Sequence, residues 1–311
     1  MEKFKKLNKF QLKDLTDQER YEYQLNALEY YGNLKNQLSS FEDKDKYHKA
    51  LLNMVKLYPI NIFNLNELKY PSDNKNAIFS ANHSNASDFV VVSRIIKKHF
   101  FIMADFTMIN DNIVNFLNEA NGCIYLDRHS KKSGQNAIEQ AIDGVNHGYN
   151  MMIFPESTWN LLKDKPMLPR KWGDIIVAQQ TGRPIIPIGL VYSKNNCFVK
   201  YGSPFYVSKN DSIIEKDKEL FDIMSNLRRD ILNSNKYKIM YSDIAYEDWL
   251  IETIKSYKHF DVDYELSVVR DKENIFSNDF NYIRGVAEKI HPTEEIEKRL
   301  LDSTINYRIK R

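Results

Sequence analysis

Apolar residues change period twice along this chain, and the changes divide it into three stretches. Between Thr16 and Leu38, Tyr21, Leu25, Leu28 and Tyr31 recur three or four apart, which predicts an amphipathic helix. A second helix is expected over Asp45 to Leu57, after which Pro59 and Pro71 bracket a segment that reads as an irregular linker. From Lys75 onward, short apolar runs alternate with helical patterns. Strands are expected at Ala77–Phe79, Phe100–Met103, Cys123–Leu126, Met151–Phe154, Ile185–Leu190 and Cys197–Tyr201. Helices are expected at Asp88–Lys98, Ile113–Asn118, Gln135–Asn146 with Ser133 as its N-cap, Asp174–Gln180 and Ser212–Leu232. This alternation predicts an α/β fold, a mostly parallel mixed sheet flanked by helices. Past Ser242 the helical period returns, with Pro292-Thr293 opening a last helix. The expected organisation is a helical N-terminal extension over 1–70, an α/β domain over 71–241 and a helical C-terminal extension over 242–311.

Composition narrows the classes. A chain of 311 residues, 42% of them hydrophobic, can bury a full α/β core. Its 44 basic and 42 acidic residues leave a net charge of +2, without the basic excess that a nucleic-acid partner asks for. Cys123 and Cys197 each lie inside an apolar run, as core thiols of a reducing, cytoplasmic protein would. The basic N-terminus, Met1 to Leu7, is not followed by the apolar segment of a signal peptide. The longest candidate for a membrane span, Phe89 to Met103, is cut by Arg94, Lys97, Lys98 and His99. The chain is therefore expected to be soluble, or to sit on a membrane peripherally without crossing it. No His, Cys and carboxylate cluster has metal-ligand spacing, so no metal is expected.

The candidate chemistry begins at Ser80-Ala81-Asn82-His83-Ser84-Asn85-Ala86-Ser87-Asp88. A histidine at a strand end, with a carboxylate five positions on, makes a general base: the imidazole titrates near neutrality, and the carboxylate fixes its tautomer. Taken singly, His83 also reads as a hydrogen-bonded structural histidine and Asp88 as a helix cap. Four more segments follow in order. They are Gly122-Cys123-Ile124-Tyr125-Leu126-Asp127-Arg128, Phe154-Pro155-Glu156-Ser157-Thr158, Arg183-Pro184-Ile185-Ile186-Pro187-Ile188-Gly189 and Tyr201-Gly202-Ser203-Pro204. In parallel sheets, polar residues just past the carboxyl ends of strands converge on the ligand crevice, and His83, Arg128 and Glu156 occupy such places. Ser157 and Thr158 also read as helix N-caps, and Arg128 as half of a surface ion pair.

Together these blocks, over about residues 75 to 206, resemble the glycerolipid acyltransferases typified by lysophosphatidic acid acyltransferase, whose blocks run NHxxxxD, GxIFIxR, FPEGTR and xPIxPV. The resemblance implies that His83 deprotonates an acceptor hydroxyl, which attacks the thioester of an acyl-CoA or acyl-carrier protein, with Asp88 orienting His83. It implies that Arg128, Glu156, Ser157 and Thr158 hold the acceptor head group, a lysophospholipid such as lysophosphatidic acid. No cofactor beyond the thioester co-substrate is implied. The chain departs from the pattern at three positions. Ser157 stands where the family has glycine, Trp159 where it usually has arginine, and Asp105 where many members carry lysine. Arg170 or Lys171 is a candidate replacement for the missing cations. These departures keep open an acyltransferase with a non-phosphate acceptor (an amine, sugar or secondary-metabolite hydroxyl). A hydrolase using Ser84, Ser87 or Ser157, and a catalytically silent lipid- or carrier-binding module, are the other readings; no G-x-S-x-G elbow supports the hydrolase.

Overall fold

A four-residue run such as Ile78–Ala81 can be buried along its whole length only if both of its faces are covered, and this strand, β2, is so buried. The computed structural model describes residues 7, 11, 15–31, 41–73, 75–106, 122–128, 130–162, 165–193, 195–234, 243–255 and 277–290. Around β2 it assembles one seven-stranded sheet. The order is β1 (Asn61–Asn64), β7 (Asn196–Tyr201), β6 (Ile185–Ser193), β2, β5 (Asn150–Ile153), β3 (Phe100–Asp105) and β4 (Cys123–Leu126). Neighbours are parallel throughout except β6 with β7. The carboxyl ends of β2, β5, β3 and β4 therefore open on one edge of the sheet.

The helices described are α1 (Asp17–Tyr31), α2 (Phe41–Val55), α3 (Asp88–Ile96), α4 (Lys131–Asn146), α5 (Gly173–Thr181), α6 (Ile213–Leu232), α7 (Asp243–Lys255) and α8 (Ser277–Ile290). Because strand side chains alternate between faces, Phe79 and Ala81 share a core with Val91, Val92 and Ile96 of α3, while Ile78 faces Ala137 and Ala141 of α4 and Ile175 of α5. Leu250 of α7 and Ile283 of α8 enter the first core, so the C-terminal helices help to cover the sheet. Two glycines permit close approach. A Cβ on Gly189 would stand 2.9 Å from Leu227 Cβ of α6. One on Gly122, whose φ is +93°, would lie 2.3 Å from the Phe101 ring. No described helix is long and apolar enough to cross a membrane.

Three expectations are corrected. The segment between Pro59 and Pro71 is not irregular throughout, since β1 pairs with β7 as a short, largely exposed edge strand that leaves no apolar alternation to read. The N-cap of α4 is Ser130, in extended backbone, whose side chain accepts from Ser133 N–H. Ser133 instead uses its hydroxyl to accept from Asp127 N–H at 3.0 Å. The strand expected to end at Leu190 runs on to Ser193 as β6. The expected helices at Ile113–Asn118 and from Pro292, and residues 32–38 of the first expected helix, fall outside the described residues.

Candidate active site

The backbone ladder of β2 stops at Ala81, and the side chain of Asn82 adds one more rung. Its Oδ1 accepts from Leu190 N–H at 2.7 Å and its Nδ2 donates to Leu190 C=O at 3.0 Å, so a buried carboxamide replaces a peptide group. The main chain is thereby released to turn at His83. There it is held from the loop after β5: His83 N–H donates to Glu156 Oε2 at 2.6 Å, and Asn160 N–H to His83 C=O at 2.8 Å.

The imidazole meets Asp88, the first residue of α3, with Nδ1 2.7 Å from Oδ2. The same oxygen accepts from Ser84 N–H at 2.5 Å and Asn85 N–H at 3.1 Å. Oδ1 accepts from the Tyr192 hydroxyl at 2.5 Å. Asp88 thus turns back to the preceding loop instead of capping its own helix. A carboxylate so surrounded by donors also takes the Nδ1 proton, which leaves Nε2 as the basic nitrogen. Asp88 has no exposed side-chain surface, whereas that of His83 is 23% exposed. Phe154 stacks on the imidazole, with centroids 4.4 Å apart, and Trp159 meets it edge-on at 6.1 Å. Burial pushes the Tyr192 phenol well up, aided by Asp88, so Tyr192 remains a donor. Neither Asn82 nor Tyr192 stands out as a site residue in the sequence. Tyr192 sits in an apolar strand 104 residues from Asp88, and only strand pairing brings them together.

The other expected site residues divide into two groups. Glu156 does not present its carboxylate to a ligand. It is buried, Oε2 is taken by His83 N–H, and Oε1 accepts from Leu168 N–H at 2.6 Å. Burial raises its pKa to about 7, against the pull of those two N–H groups and of Arg228. Its contact is with the backbone of His83. Ser157 has φ +60°, a left-handed conformation that favours glycine, the residue the resembling pattern has there. No helix follows Ser157 and Thr158, so neither is an N-cap; Thr158 is buried in the turn. Arg128, at the end of β4, is paired: its Nε donates to Asp105 Oδ2 at 2.7 Å, and Nη1 donates to Ser157 C=O.

Arg170 is not a replacement cation. Its side chain is fully buried and paired with Asp174, with Asp217 at 3.6 Å. Of the candidate nucleophiles, Ser84 Oγ accepts from Asn82, Ser87 Oγ faces Tyr58 OH at 3.3 Å and Ser157 Oγ points to Pro155 C=O at 3.5 Å. A serine hydrolase needs its hydroxyl on the base nitrogen, about 2.6–3.2 Å away. These three point elsewhere. What the edge offers is a buried carboxylate, a partly open imidazole on it, and beside them an arginine that already has a counter-ion.

The chain is similar to known acyltransferases. Residues 61–191 match the model of the family described as Acyltransferase. Over 125 residues, 40% of this chain and 49% of the relative, the chain is 33% identical to a 1-acyl-sn-glycerol-3-phosphate acyltransferase of Borreliella burgdorferi. Over 138 residues, 43% of this chain and 56% of the relative, it is 30% identical to the protein of that name from Haemophilus influenzae. The chain thus spans about half the length of the curated relatives it matches. A solved structure, the 1-acyl-sn-glycerophosphate (LPA) acyltransferase PlsC of Thermotoga maritima, aligns with TM-score 0.48 and 17% identity over 72% of this chain and 87% of that one. The match to the family model runs from β1 into β6, the stretch that carries His83, Asp88, Arg128 and Glu156.

Proposed function

We propose that the protein transfers a fatty acyl group from an acyl thioester, acyl-CoA or acyl-carrier protein, to the free hydroxyl of a lysoglycerolipid. The observation that carries this reading is the His83–Asp88 pair, 2.7 Å apart, with the carboxylate sealed and the ring partly open at the edge where four parallel strands end. Such a pair suits an attack in which the enzyme supplies no nucleophile. A free alcohol is a poor nucleophile at neutral pH, while a thioester carbonyl is already electrophilic.

Nε2 of His83 takes the hydroxyl proton as the acceptor oxygen bonds to the acyl carbon. The carbon–sulfur bond then breaks, and the departing thiolate leaves as a thiol carrying the proton that the imidazolium returns. Asp88 holds the tautomer and the imidazolium. Phe154 and Glu156 fix the ring and its backbone. The step as balanced needs no bound cofactor. The names of the relatives make lysophosphatidic acid the first acceptor to try, and a peripheral position on the cytoplasmic face of a membrane would bring such lipids within reach.

The test is thiol release from palmitoyl-CoA by the purified chain with a panel of acceptors. The expected result is acceptor-dependent release that falls about 10²–10⁴-fold in His83→Ala. Release that is indifferent to acceptor would mean hydrolysis, and release unchanged in His83→Ala would remove the general base.

A further inference from the structure

We propose that Asp105 makes this site reject phosphate-monoester head groups, so that the acceptor is a neutral or zwitterionic lysoglycerolipid. The inference rests on the acyl-transfer reading and narrows its acceptor. Arg128 is the arginine that the site edge leaves partly exposed, and its side chain is 22% accessible against 10% for Asp105. Arginine grips a phosphate through two parallel N–H bonds from one edge of its fork. Here Nε already donates to Asp105 and Nη1 to Ser157 C=O, so each two-pronged edge has one nitrogen engaged by the protein. The Asp105 carboxylate also balances the guanidinium charge. A phosphate monoester of charge about −1.5 to −2 would have to share that guanidinium with the carboxylate, against like-charge repulsion.

The two segments of sequence that carry Asp105 and His83 add no further cation. Between Lys98 and Arg128 the sequence has no Lys or Arg, and it has four acidic residues, Asp105, Asp111, Glu119 and Asp127. Between Lys75 and Arg94, the stretch with His83, no Lys or Arg occurs either. Arg170 and Arg228 are buried; Arg170 pairs with Asp174, and Arg228 donates to Lys165 C=O and Pro166 C=O. The walls beside the base are the rings of Phe154 and Trp159. Such a surface accepts a glycerol backbone and its hydroxyl. Phe154 belongs to the same turn as Ser157, so this pairing lies next to the imidazole.

The experiment compares kcat/KM of the full chain for lysophosphatidic acid, lysophosphatidylcholine and a monoacylglycerol, with Asp105→Asn alongside. Lysophosphatidic acid is expected at least about tenfold below the better of the other two, and Asp105→Asn to narrow that ratio about tenfold. A wild-type preference for lysophosphatidic acid would overturn the proposal, as would a folded Asp105→Asn with the wild-type ratio. If no acceptor releases thiol, the acyl-transfer reading fails on its own. Calorimetric binding of hexanoyl lysolipids, kept below their micelle concentrations, to wild type and to His83→Ala still ranks the head groups. Equal or tighter binding of the phosphate monoester there also overturns the role of Asp105, whether or not the variant folds.

Discussion

Two carboxylates with no exposed surface, Asp88 and Asp174, stand in the first turns of two nine-residue helices on opposite faces of β2. Each gathers several donors. Asp174 accepts from Ser80 Oγ at 2.6 Å, from Ile175 N–H at 2.9 Å and from Arg170, whose side chain is as buried as its own. Asp88 accepts from two N–H groups and a phenol, but its ring partner is an imidazole that reaches the surface. A permanent cation sealed in the core makes the first carboxylate a fixture of the fold. An imidazole open on one side suits the second to the proposed chemistry. Burial of the acid is common to both; the difference lies in what it is paired with.

Exchanging each acid for its amide should separate the two. Asp88→Asn, measured by acceptor-dependent thiol release, is expected to lower kcat by about 10²–10⁴-fold, because the amide cannot serve His83, Tyr192 and both N–H groups. Asp174→Asn leaves Arg170 with only Asp217 nearby, and denaturant melts should show a loss of about 3–5 kcal/mol with little change in kcat per folded molecule. Were Asp174→Asn to silence catalysis without destabilising, the contrast would collapse.

Glu156 lies between these cases and sharpens the distinction. An amide there can satisfy only one of the two N–H groups, so Glu156→Gln should cost about 1–3 kcal/mol and weaken the hold on His83. The pH dependence has a definite sign. The folded pKa, about 7, lies above the ordinary 4.5, so between those values the folded state binds more protons than the unfolded one. The contribution of this group to stability is fully present below about pH 4.5 and is lost as pH rises through 7. Melting temperatures taken across that window should show this slope in the wild type and its absence in the glutamine variant. The smallest effect is expected at Ser157, where glycine relieves the left-handed backbone and should raise stability by about 0.5–1 kcal/mol.

The strands were legible because each central one is an apolar run between polar loops, and buried runs advertise themselves. β1 was not, since an exposed edge strand has no buried face to pattern. His83 and Asp88 were legible because their partnership is local in the chain. Glu156 was visible as a residue, yet its direction was not: nothing along the sequence says that a carboxylate after β5 will meet the N–H groups of His83 and Leu168. Asn82 and Tyr192 were missed, and the acid that pairs with Arg128 went unnamed, for the same reason. Their partners come from other strands, and spacing along the chain carries no record of them.

β6 touches the His83 segment twice, through the backbone of Leu190 and the hydroxyl of Tyr192. Residues two apart on a strand are separated by about 7 Å, a length that the pleat fixes whatever the side chains. That interval serves as a gauge against which the stretch from Asn82 to Asp88 is cut. One residue more or fewer would seat one end and miss the other. The four-residue gap between His83 and Asp88 is therefore a mechanical tolerance of the sheet, enforced before any substrate arrives.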